Sequence, residues 1–169
     1  MKRSLFFILA VVQLVVLLIF TACSPSQPPQ PVTQFLACIY VDCAYTKGEF
    51  PIQAQMSSSG TGTAVITITT PDELRSLTYS RMDKSELSYK GLSCITDSPR
   101  LPDDAFASAI YNVLWDLPVN SRCTSFKDKV AVFEGQCKSG KYTATTNGKG
   151  YIQNISIEEL NLSVDFEYN

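Results

Sequence analysis

Six cysteines and not one histidine bound the chemistry open to this 169-residue chain. Without an imidazole it lacks the side chain that titrates nearest neutrality and the commonest metal ligand. Ser-His-Asp and Cys-His catalysis are therefore excluded. No Ser-x-x-Lys occurs, and its nearest counterpart is Thr124-x-x-Lys127, beside a turn. The acidic pairs Asp103-Asp104 and Glu158-Glu159 stand where acids serve local structure. No Cys-x-x-Cys is present, so a zinc site is not expected. These residues describe a protein that is not an enzyme and needs no metal and no cofactor.

Thiols can still carry a lipid or pair with one another, and the first cysteine invites the former. Lys2 and Arg3 precede an apolar run, Leu5 to Phe20, broken only by Gln13. Phe20-Thr21-Ala22 then sets small residues directly before Cys23. A positive head, a short apolar stretch and a small-residue cleavage site make a secretory signal peptide. Its ending resembles the lipobox of bacterial lipoproteins, with Phe20 where leucine is usual. The resemblance implies that the Cys23 thiol receives a diacylglyceryl group and becomes the first residue of the mature chain. Two acyl chains hold a protein at a membrane, whereas one does so only marginally. An uncleaved membrane anchor and ordinary cleavage that discards Cys23 are the alternatives. The address is the outer face of the cell membrane, or the periplasmic side of an outer membrane.

The other five cysteines, Cys38, Cys43, Cys94, Cys123 and Cys137, are odd in number, so at least one stays unpaired. Cys38 and Cys43 lie five apart in a strand and so face opposite sides. Cys123 and Cys137 bracket a strand; a bridge between them would close a loop worth about 3 kcal/mol. Buried thiols acting as small apolar side chains are the alternative.

Three regions follow: residues 1–22 as signal peptide, 23–34 as lipidated cysteine and linker, and 35–169 as one folded domain. The linker carries four prolines from Ser24 to Thr33, giving a semi-rigid stalk of roughly 30 Å. Without Lys2 and Arg3 the chain holds 12 basic against 16 acidic residues. An acidic domain without a basic cluster is no partner for nucleic acid.

Beyond the linker, apolar residues recur at every second position. Phe35, Ala37, Ile39, Val41, Cys43 and Tyr45 share one face; Lys47-Gly48-Glu49 makes a turn. Ile52, Ala54 and Met56, then Ala64, Ile66 and Ile68, continue the alternation to Pro71. A hairpin spans Leu77 to Gly91, and a loop carries Cys94, Pro99 and Pro102. One helix is expected over Asp103–Asp116, capped by Asp103 or Asp104, with Phe106, Ala109, Ile110, Val113, Leu114 and Leu117 as its stripe. Pro118 should stop it. Strands resume from Val130 to Tyr168. About nine short antiparallel strands and one main helix define an α+β fold, a curved sheet closed by that helix.

The succession of Pro71-x-x-Leu74, a tyrosine strand, Tyr89-Lys90-Gly91-Leu92, Leu101-Pro102, the helix through Leu114, and Ser139-Gly140-Lys141-Tyr142 is similar to LolA/LolB-like lipoproteins. Short clostridial-type and GerS-like lipoproteins share that order. The resemblance implies an incomplete β-barrel whose hollow takes a lipid or other apolar ligand. On that reading Phe106, Ile110, Tyr111 and Trp115 of the helix, with Ile39 and Val41 of the first strand, line the hollow. The alternative is a cell-envelope scaffold, or a regulator of a partner enzyme, that binds no ligand.

Overall fold

In a computed structural model of the chain, residues 27–43, 52–60, 63–82, 84–96 and 101–168 are described. The expected signal peptide, Cys23, the start of the linker and the Lys47-Gly48-Glu49 turn lie outside them.

Alternation sets the first half. In β1 (Gln34–Asp42) Phe35, Ala37, Ile39 and Val41 point inward while Leu36 and Tyr40 point out. β2 (Ile52–Ser59) and β3 (Ala64–Thr70) repeat the pattern, and β4 (Thr78–Arg81), β5 (Ser85–Tyr89) and β6 (Leu92–Thr96) extend the meander. Helix α1 (Phe106–Asn120) follows. A second meander then runs through β7 (Arg122–Lys127), β8 (Val130–Cys137), β9 (Gly140–Thr146), β10 (Ile152–Ile157) and β11 (Leu162–Glu167). β11 pairs with β1, which joins both meanders into one antiparallel sheet of order β6-β5-β4-β3-β2-β1-β11-β10-β9-β8-β7. β6 and β7 are its two edges and do not meet, so the barrel stays open. Register shifts at Gln53/Ala54, Cys123/Ser125 and Ile152/Asn154 add local bends.

The α+β architecture is as expected, with one α-helix among the described residues, but eleven strands stand there where nine were counted. The two missed strands are the edges. Leu92, Ser93, Cys94 and Ile95 of β6 are all exposed, and β7 carries no buried residue. A strand wetted on both faces has no apolar alternation to read.

The helix also differs from expectation at both ends. It begins at Phe106 behind an Ala105 N-cap that supplies no side-chain hydrogen bond. Asp103 instead accepts from Asn112 Nδ2 through its carboxylate at 3.3 Å, and from Ser139 Oγ through its carbonyl at 2.6 Å. Pro118 lies inside the last turn. A proline there removes one hydrogen bond near a helix end, while burial of Leu117, only 1% exposed, holds that turn against the sheet.

The core runs through the concave side, where Ile39, Met56, Ile66, Ile110, Val113, Ile155 and Val164 are almost wholly buried. The proline-rich segment joins it sooner than its composition suggests. Pro31 is buried, and Val32 N–H donates to the Gly150 carbonyl at 2.8 Å. Gly150 has φ +85°, and a Cβ there would stand 2.2 Å from the Gln30 carbonyl oxygen. The folded unit therefore starts near residue 30, because the β9–β10 turn is built to receive the chain.

Candidate functional site

The seam between α1 and β4 carries two hollows. The first is an apolar cleft of about 180 Å³ between the start of the helix and β3–β5. Ile66, Leu77, Leu87, Leu101 and Phe106 form its walls, together with the ring of Tyr79. Tyr79 is 5% exposed, and its hydroxyl is buried without a hydrogen-bond partner among the described residues. Burying an unsatisfied hydroxyl costs about 1–3 kcal/mol.

The second hollow is an open groove of about 590 Å³. Arg81, Tyr111, Trp115, Asp116, Cys137 and Lys138 are among the residues that line it. The Arg81 guanidinium lies 3.8 Å from the centre of the Tyr111 ring, a cation–π contact. Burial raises the Tyr111 phenol above the usual tyrosine range; the nearby Arg81 charge opposes that and Tyr79 adds to it.

Both hollows follow from periodicity. Tyr79 and Arg81 are two apart on β4 and share a face. Ala107, Tyr111 and Trp115 are one helical turn apart and form a single row. The cleft takes Tyr79 and Ala107, and the groove takes Arg81, Tyr111 and Trp115. The two hollows are consecutive along one seam.

A buried polar network fixes the helix beside this seam. Tyr142 OH donates to Asp116 Oδ2 at 2.8 Å, and Asn120 Nδ2 donates to Asp116 Oδ1 at 2.8 Å. One turn earlier, Asn112 Nδ2 donates to Ser139 Oγ at 2.9 Å. Asp116 is thus a wall residue whose two oxygens are already engaged. Arg81 makes no ion pair among the described residues.

The residues nominated as lining divide. Phe106 borders the cleft, and Tyr111 and Trp115 border the groove. Ile39, Val41 and Ile110, at 0%, 2% and 0% exposure, are packed into the core and line neither hollow. Side chains of the protein itself fill the space they were expected to leave. Tyr79, Arg81 and Leu87 were missed. The alternation of Leu77, Tyr79 and Arg81 was visible in the sequence, but arginine is usually assigned to the wet face.

The Cys123–Cys137 bridge is also corrected. Cys123 pairs across the hairpin with Phe133, and Cys137 lies four residues further along β8. That is about 13 Å of strand, against an upper limit of about 7 Å between bridged Cα atoms. Both remain thiols, with Cys137 Sγ directed to the Gly140 carbonyl at 3.6 Å. No helix among the described residues is long and apolar enough to cross a membrane.

No protein-family model matches the chain, and no curated protein does either. Among solved structures, the chain is similar to a LolA superfamily protein from Nitrosomonas europaea. The identity is 14%, the match covers 83% of this chain and 85% of that one, and the TM-score is 0.42. At that distance the likeness says nothing about a ligand.

Proposed function

We propose that the protein is a lipid-anchored extracytoplasmic lipoprotein, without catalytic activity, that binds an apolar group in the cleft between α1 and β3–β5. The observation that carries this reading is an apolar-walled hollow of about 180 Å³ between the start of α1 and β3–β5. Magnitude limits the cargo. Drug-sized ligands occupy about 300–1,000 Å³, so about 180 Å³ receives a chain end or a single ring. The protein holds part of its ligand and leaves the rest outside.

The test is native mass spectrometry of the full-length protein released from its membrane, followed by solvent extraction. An apolar molecule should come away from the wild type and should be reduced several-fold in Leu87→Arg, which puts a charge into the cleft wall. Leu87 is 38% exposed, so this variant should fold. Folded wild-type protein that never yields such a molecule would overturn the cleft reading.

The anchor has its own test. Cys23→Ala should leave the membrane fraction or retain residues 1–22. A processed Cys23→Ala chain that stays membrane-bound would overturn lipidation of that thiol.

One observation favours a second reading, an envelope scaffold or regulator of a partner enzyme. Edge strand β6 exposes Leu92 at 76% and Ile95 at 61%, and open apolar edges invite strand addition. An empty cleft combined with capture of a partner through β6 would support it.

A further inference from the structure

We infer that the ligand is an anionic amphiphile, an alkyl chain ending in a carboxylate or phosphate, with its tail in the cleft and its head group at Arg81. The inference rests on the cleft being a binding site and adds the chemistry of what enters it.

The cleft is walled by apolar side chains and by Tyr79 of β4. One step along the same strand face stands Arg81, about 7 Å further on. Its guanidinium carbon lies 3.8 Å from the centre of the Tyr111 ring, and an arginine stacked on an aromatic face can still donate to an oxyanion. Lys138 adds a second positive charge on the same groove. The wall carboxylate, Asp116, is held by Tyr142 and Asn120. A ligand spanning the seam therefore meets apolar side chains first and then a cation that makes no ion pair among the described residues. An alkyl chain with an acidic head matches that sequence of surroundings. An alkyl alcohol matches the first part only, and a free anion only the last.

Trp115 is the only tryptophan in the chain and lines the groove, so its fluorescence reports on the head-group end. The experiment uses the full-length protein in phosphatidylcholine nanodiscs, with empty nanodiscs as reference. Equilibrium dialysis measures binding of decanoate, decyl phosphate and decanol. The anions should bind about tenfold or more tightly than decanol and shift Trp115 emission, the ordinary gain from one charge-assisted pair. Arg81→Gln should remove that preference and leave decanol affinity unchanged, and Arg81→Lys should keep much of it. Whichever anion binds more tightly assigns the head group as carboxylate or phosphate. Equal affinity of wild type for decanol and both anions would overturn the inference while leaving the cleft as a site, as would a preference that survives in Arg81→Gln. No binding of any of the three would overturn the cleft reading itself.

Discussion

Replacing Gly135 with alanine is expected to cost about 2–4 kcal/mol of folding stability, although it adds a single methyl group. Gly135 of β8 pairs directly with Tyr142 of β9, and both positions face the helix. The tyrosine ring lies over the glycine on its way to Asp116. A Cβ at residue 135 would come within 2.3 Å of the Tyr142 hydroxyl and 2.4 Å of its ring carbon. A tyrosine on the surface would swing aside cheaply. Tyr142 is 3% exposed and hydrogen-bonded to the helix, so it moves only by giving up burial and leaving Asp116 short of a donor. Denaturant midpoints of Gly135→Ala should show the loss. In a Tyr142→Leu background the same change should cost below about 1 kcal/mol, because the atoms it strikes are gone. A full penalty in that background would locate the strain in the β8 backbone and contradict this account.

The same pair shows which parts of the molecule were legible beforehand. Strands with one dry face could be read directly: Phe35, Ala37, Ile39 and Val41 announce β1, and Ala64, Ile66 and Ile68 announce β3. Those buried on neither face, β6 and β7, could not, because the hydrophobic pattern records burial rather than hydrogen bonding. Helix α1 was found from Ile110, Val113, Leu114 and Leu117, but the roles of its polar residues were not read. Asn112 and Asp116 are buried at 8% exposure, and their partners Ser139 and Tyr142 come from β9 and the turn before it, 26 or 27 residues away. Long-range pairing of that kind leaves no local periodicity.

The candidate site fared similarly. Phe106, Tyr111 and Trp115 were nominated as lining on the strength of the family resemblance, together with Ile110, Ile39 and Val41, and the first three border the two hollows. Tyr79 and Arg81 belong to a strand of four residues, where an arginine on the inner face goes against the usual assignment of charge to the wet side. Ile39, Val41 and Ile110 were assigned to a lining because inward and cavity-lining are the same statement in a sequence. Only packing separates them, and here the interior is occupied.

Tyr142 also makes the fold sensitive to alkali, and the sign can be worked out. Burial is the main cause of its raised phenol pKa, followed by the hydrogen bond to Asp116 and that group's charge, with a Ser121 hydrogen bond opposing. Above about pH 10, where an unfolded tyrosine gives up its proton, the folded state still holds it. The stabilising contribution is therefore complete below that pH and declines as pH rises, at up to about 1.4 kcal/mol per pH unit. Tyr142→Phe should be less stable near neutrality by about 1 kcal/mol, from the lost hydrogen bond, yet its stability should fall less steeply in alkali. The two curves should converge above about pH 10. Tyr168 is raised too, chiefly by burial and despite its hydrogen bond to the Ile152 carbonyl, so Tyr168→Phe measures the background slope. Asp116→Asn keeps an acceptor while removing the charge; it should retain most of the steep alkaline slope if burial leads. A Tyr142→Phe protein that lost stability as steeply as wild type would place the alkaline transition in another group and remove the buried phenol from this role.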